Sequence, residues 1–176
     1  MDRIASVPVT GTPAEEEAFQ ALYGRWASPV PRELAHLMAG AAFPWWVVGG
    51  WALELATQRA RPHEDLDVAV RRQDLAALAE HFQDWHLWAA QDGALKPLSR
   101  FGSWPDDHEQ LWMRKDAESP WVLDVLLTPT EATAAGDMWI FKRDQRIRLP
   151  LAVAVRSGPI PYLAPHIGAP VQAERL

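Results

Sequence analysis

The residues best suited to chemistry lie between positions 47 and 68. Val47-Val48-Gly49-Gly50-Trp51-Ala52-Leu53-Glu54 sets a glycine turn upstream of Arg61-Pro62-His63-Glu64-Asp65-Leu66-Asp67-Val68, where two aspartates are spaced i, i+2. Asp65 to Val70 alternates in polarity. A β-strand over these residues would point Leu66, Val68 and Val70 to one face and Asp65 and Asp67 to the other. Their Cα atoms would then lie roughly 7 Å apart, and two unit charges at that separation repel by roughly 2 kcal/mol at an effective dielectric of about 20. A divalent cation between them removes that repulsion. Gly49 and Gly50 let backbone N–H groups approach a phosphate closely, and the helix beginning at Trp51 adds its positive end. Together these features suit metal-dependent nucleotidyl transfer, with the triphosphate at the glycine turn.

A third acid stands downstream. Trp121-Val122-Leu123-Asp124-Val125-Leu126-Leu127 is an apolar run interrupted by one carboxylate and reads as a central strand. If this strand lies beside Asp65 to Val70, Asp124 joins Asp65 and Asp67 in one cleft. Three acids can hold two magnesium ions, which activate an attacking hydroxyl and stabilise the phosphorus centre and the leaving pyrophosphate. The other reading of Asp124 is a buried acid tied to Arg114, to Arg61 or to backbone N–H groups. Arg61 and His63 stand in the turn before the strand, placed either to contact phosphate or to face solvent.

The elements that must position these residues are legible in outline. Thr12-Pro13-Ala14-Glu15 is a capping box with proline at the first helical position, and Phe19, Leu22, Tyr23 and Trp26 continue one stripe, so a helix is predicted over Pro13 to Trp26. Leu34, Leu37 and Met38 mark a second helix that stops at Gly40. Trp45 to Val48 is a short strand leading into the glycine turn and a helix over Trp51 to Thr57. An amphipathic helix from Arg72 to Phe82 follows and would cover one sheet face. Further strands are predicted at His86 to Ala90, Glu109 to Lys115, Trp121 to Leu127, Met138 to Phe141 and Arg146 to Leu149. Pro159, Pro161, Pro165 and Pro170 make the C-terminal residues poor helix material, and a surface tail is expected there.

Composition sets bounds on function. With 176 residues, 48% apolar composition and ten tryptophans, the chain can bury a real core. The absence of cysteine excludes thiolate catalysis and cysteine-based zinc sites, leaving oxygen or imidazole ligands for any metal. Oxygen ligands favour magnesium or manganese. The net charge of -6, with arginines scattered in short clusters, disfavours extended nucleic-acid binding. No apolar run approaches the roughly 20 residues of a membrane helix, and the start lacks signal-peptide order, so no membrane partner and a cytoplasmic location are expected.

Gly49-Gly50-Trp51-Ala52 and Arg61-x-His63-x-Asp65-Leu66-Asp67 resemble the nucleotidyltransferase superfamily typified by DNA polymerase beta, and within it the aminoglycoside and lincosamide nucleotidyltransferases. The resemblance covers about residues 30 to 165. It implies an α+β nucleotidyltransferase fold, a small mixed sheet flanked by helices, within one domain. Residues 1–42 would be N-terminal helices, 43–150 the catalytic core and 151–176 a short tail. It also implies ATP or another nucleoside triphosphate as donor, Mg²⁺ as cofactor and transfer of a nucleoside monophosphate, AMP first among them, to a hydroxyl of a small molecule. Aminoglycoside or lincosamide antibiotics are the acceptors it suggests. Asp65 and Asp67 would bind metal, Asp124 would be general base or metal ligand, and Gly49, Gly50, Trp51, Arg61 and His63 would bind the nucleotide. Transfer to a protein partner, as in antitoxin-type enzymes, and a catalytically idle nucleotide-binding module are the rival readings. Similar proteins commonly continue past Pro161-Tyr162-Leu163-Ala164-Pro165 into a helical portion that shapes the acceptor site. Here His166 follows where relatives often carry an acid, and acceptor binding is either shared with a second subunit in a homodimer, altered or lost.

Other candidates have plainer readings. His36, His81, His86 and His108 lack ligand spacing on a shared helix. Trp45, Trp46, Trp112, Trp121 and Trp139 sit in apolar strands and read as core. Trp104, Asp106, Asp107 and Glu109 lie in or beside a long loop that either borders the acceptor or is simply solvated.

Overall fold

The helix signals act as their chemistry dictates. In the computed structural model, which describes residues 12–63, 65–91, 93–100, 108–141 and 144–167, Thr12 N–H donates to Glu15 Oε2 (2.6 Å) and Glu15 N–H donates back to Thr12 Oγ1 (3.3 Å). This capping box opens α1 (Pro13–Tyr23). The helix stops short of the predicted Trp26 because Gly24, at φ 90°, turns the chain and Trp26 enters a parallel bridge with Trp121. α2 (Pro31–Leu37) begins on a proline at its N-terminus.

The elements that carry the candidate site follow. They are β1 (Trp45–Val48), α3 (Gly49–Thr57) and β2 (Asp67–Arg71), then a 3₁₀ turn over Arg72–Asp74 that leads into α4 (Leu75–His81). β3 (His86–Gln91), β4 (Ala94–Pro97), β5 (Gln110–Arg114) and β6 (Leu123–Thr128) come next. The second half adds β7 (Thr130–Thr133), β8 (Gly136–Ile140), β9 (Arg148–Pro150), α5 (Leu151–Ala154), β10 (Val155–Arg156) and β11 (Tyr162–Leu163).

The architecture is α+β, as predicted, but the sheet is not small. Eight strands are ordered β10-β11-β1-β2-β6-β5-β3-β4, and β7-β8-β9 form a separate three-stranded sheet. β1 runs antiparallel to β2, and β2 runs parallel to β6. The predicted strand from Asp65 begins instead at Asp67. Val48 pairs with Asp67 and β1 then turns into α3, so Asp65 has no residue of β1 beside it. The strand predicted from Trp121 likewise begins at Leu123, Trp121 being spent on its bridge to Trp26.

Strand parity divides the large sheet into two unlike faces. Val47, Val68, Val70, Leu111, Met113, Leu123, Val125 and Leu127 pack against Leu34 and Met38 from the α2 region, Ala52 of α3, and Leu78 and Phe82 of the α4 region. Each such fully buried side chain contributes roughly 1.5 to 3 kcal/mol of transfer free energy. The opposite face carries two separate apolar blocks. On the β1–β2 side Trp46 and Ala69 meet Trp139 of β8, Ala154 of α5, Ala164 and Ile167. On the β5–β3 side Trp112 and Ala90 meet Trp121, with Phe19 and Tyr23 of α1 and Trp26 packed on them. Trp46, Trp112, Trp121 and Trp139 are buried, as predicted, whereas Trp45 is only partly so. Arg71, at the end of β2, pairs with both Asp74 and Asp137, which ties the small sheet to the large one. Those partners, Asp74 foremost, hold its guanidinium above the ordinary arginine range.

The expected surface tail is corrected over residues 151–167. β11 lies inside the large sheet, parallel to β1, with Val47 N–H donating to Pro161 O at 2.8 Å. A proline lacks only the donor, so the strand forms through its carbonyl. Ala154, Ala164 and Ile167 are core residues. Among the described residues no helix is long and apolar enough to cross a membrane. A chain ending at Gly158 is expected to lose several kcal/mol and to melt roughly 10 °C lower, read from a thermal scan followed by circular dichroism. An unchanged midpoint would show that β11 is dispensable.

Candidate functional site

Asp67 and Asp124 are direct register partners on the parallel strands β2 and β6. Both point to the face that carries the two apolar blocks, since Val68 and Val125, their neighbours along the strands, point to the other. The acids therefore occupy the strip between the two blocks. Only 3% of Asp67 and 2% of Asp124 is exposed. Strand spacing puts such a pair roughly 5 Å apart, where two charges repel by about 3 kcal/mol at an effective dielectric of about 20. Gln110 on β5 addresses part of this, its Nε2 donating to Asp124 Oδ1 (2.9 Å) and Oδ2 (2.8 Å). Arg114, considered from the sequence as a partner for Asp124, lies over the rings of Trp121 (4.4 Å) and Trp88 (5.7 Å).

Asp65 lies before β2 and is half-buried. Among the described residues no three His, Asp or Glu side chains are gathered so that they could hold a metal ion. The strand parity that was to bring Asp65 alongside Asp67 does not extend past the start of β2. The remaining pair still suits a hard divalent cation. Magnesium is commonly held by one or two carboxylates and completed by water and substrate phosphates.

The glycine turn adjoins the pair directly. Val48 is opposite Asp67, and Gly49 follows at φ 67°, a left-handed conformation that favours glycine. α3 starts at Gly49, ahead of the predicted Trp51. A Cβ on Gly50 would lie 2.1 Å from Arg61 Nη2 and 3.2 Å from His63 Nδ1, so the absent side chain is what lets the guanidinium rest on the first turn of the helix. His63 stacks on Trp51, with centroids 3.8 Å apart and planes at 15°.

Glu54 draws these residues together and was not singled out from the sequence. Its Oε2 accepts the Arg61 backbone N–H at 3.0 Å and the His63 ring at Nε2 at 2.7 Å. A carboxylate only accepts, so His63 carries its proton on Nε2 in this pairing. The signal was its spacing, because Glu54 stands one helical turn after Gly50 and so shares its face. Gln110 was missed too, and its signal was parity with Trp112 on β5. The predicted nucleotide-binding set of Gly49, Gly50, Trp51, Arg61 and His63 is thus one cluster. Trp104, Asp106 and Asp107 lie outside the described residues, and Glu109 stands 3.9 Å from Arg72 Nη2.

Residues 32–97, from α2 to β4, match the family model described as Aminoglycoside-2''-adenylyltransferase. Over this stretch, which holds the glycine turn and Asp67 but not Asp124, the chain is aminoglycoside nucleotidyltransferase-like. Comparison with curated proteins gives no match.

The His63 hydrogen bond, and next the Arg61 N–H, hold the Glu54 carboxyl below its ordinary value of 4.5. A lowered folded-state value stabilises the fold above the unfolded pKa and is lost as pH falls through the folded one. Glu54→Gln is therefore expected to be less stable than wild type at pH 7, with the gap closing below pH 4.5. Urea midpoints across that range check it, and a gap that does not change with pH would contradict the assignment.

Proposed function

We propose that the chain is a metal-dependent enzyme of the nucleotidyltransferase fold, moving AMP from ATP to a hydroxyl of an aminoglycoside or a chemically similar cationic small molecule. The observation that carries this reading is the buried register pair Asp67–Asp124 beside the residue that opens the glycine turn. The match of residues 32–97 to an aminoglycoside adenylyltransferase family supports the donor and the class of acceptor.

Asp67 and Asp124 would hold magnesium, with Asp65 on the approach to β2 as a further contributor. When bound, the metal would neutralise the carboxylate pair and stabilise charge on the phosphoryl oxygens. The N–H groups at the start of α3 and the Arg61 guanidinium would bind the triphosphate oxygens. Gln110 would orient Asp124 through its two hydrogen bonds. The two apolar blocks on either side would restrict water around the reacting phosphate, and low local polarity strengthens every charge interaction there. The acceptor hydroxyl oxygen would bond to the α-phosphorus and give up its proton, to Asp124 or to water, as the bond from the α-phosphorus to the α–β bridging oxygen breaks and pyrophosphate leaves.

Asp67→Asn and Asp124→Asn are each expected to lower AMP transfer about a thousand-fold, roughly 4 kcal/mol of barrier, while the circular dichroism spectrum is kept. Asp65→Asn should cost less. Pyrophosphate release measured with ATP, Mg²⁺ and a panel of aminoglycosides tests this. Wild-type turnover by a folded Asp67→Asn variant would overturn the reading.

A further inference from the structure

The loop after α3 has a construction that nucleotide binding alone does not explain. Gln58, at φ 56°, reverses the chain at the helix end, and residues 58–62 are exposed. The chain then runs back along α3 toward the glycine turn. Two contacts pin it to Glu54, namely Arg61 through its backbone N–H and His63 through Nε2. His63, whose side chain is 7% exposed, is also held against Trp51. Arg61 is thus tied at its backbone to Glu54, and two residues on, the His63 ring is held between Glu54 and Trp51. The Arg61 guanidinium reaches Gly50 from a defined root. An arginine side chain otherwise loses rotamer freedom on making any phosphate contact.

We infer that Glu54 is a positioning residue for the triphosphate, acting through Arg61, which it anchors against the first turn of α3. The inference rests on the nucleotidyltransferase reading above. Glu54 itself, a carboxylate committed to two N–H donors, touches no phosphate in this scheme. It sets where the positive charge of Arg61 stands before ATP arrives, which is preorganisation.

Calorimetric titration of the full chain with ATP and with AMP, each with Mg²⁺, separates this role from a merely structural one. Glu54→Ala is expected to weaken ATP binding about ten-fold and to leave AMP binding within about two-fold, the inference assigning Arg61 to the phosphates that AMP lacks. Arg61→Ala should show the same selective loss. In an Arg61→Ala background Glu54→Ala should add less than about two-fold, because a residue that acts through another has nothing left to position. Equal losses for ATP and AMP, unchanged ATP affinity, or full additivity with Arg61→Ala would each overturn the inference. Should Glu54→Ala fail to fold, Glu54→Gln keeps an acceptor for the Arg61 N–H and is expected to show a selective loss of about three-fold. A wild-type chain that binds no ATP would overturn the nucleotidyltransferase reading itself.

Discussion

Asp67 and Asp124 meet across two parallel strands with almost no access to water. Such a juxtaposition is costly when both are ionised, because the charges repel and burial withdraws each from water. It persists because the strands that carry them are fixed by what lies behind. Val68 and Val125, the next residues along, are fully buried in the helix-covered core. Moving either acid toward solvent would withdraw those valines from that core. The helix-covered face therefore enforces the geometry of the other face, and the strain of the acid pair is balanced by apolar burial a residue away.

The same division explains the shape of the site. One block, with the small sheet and α5 on it, covers the large sheet on the β1–β2 side; the other, capped by α1, covers it on the β5–β3 side. Neither block includes the acids. Arg71 fastens the first block through Asp74 and Asp137, while Tyr23 fastens the second through its hydroxyl to Gly93 O at 3.1 Å. At the end of β1 the glycine turn delivers Arg61 and backbone N–H groups beside the same strip. Groups that can bind phosphate and carboxylates that can bind a cation thereby lie on adjoining elements.

Much of this was readable from residue types, and the failures have physical causes. β1 was predicted with its observed bounds because Trp45-Trp46-Val47-Val48 is short, apolar and closed by glycine. α1 was announced by its capping box. Asp67 was placed opposite Val68 and Val70 by alternation, since parity survives folding even when strand ends do not. Where β2 begins was illegible, because it depends on where β1 turns away. β4, with Lys96 and Pro97, has the polar character of an edge strand and carries little apolar signal. β7 is largely exposed, for the same loss of signal. β11 was hidden among prolines that normally argue against a strand. Glu54 and Gln110 were missed because local spacing gives each a face but not its partner, which lies on another element.

The insertion of β11 beside β1 has a consequence for how the molecule assembles. Val47 and Tyr162 are neighbours in space though far apart in sequence. Closing so large a loop costs entropy before any contact rewards it, and topologies rich in such closures fold slowly. The strand that launches the glycine turn cannot gain its second neighbour until the residues of β11 have been made. During synthesis on a ribosome, β1 waits with one hydrogen-bonding edge bare, a period in which a chaperone or another nascent chain can compete for it.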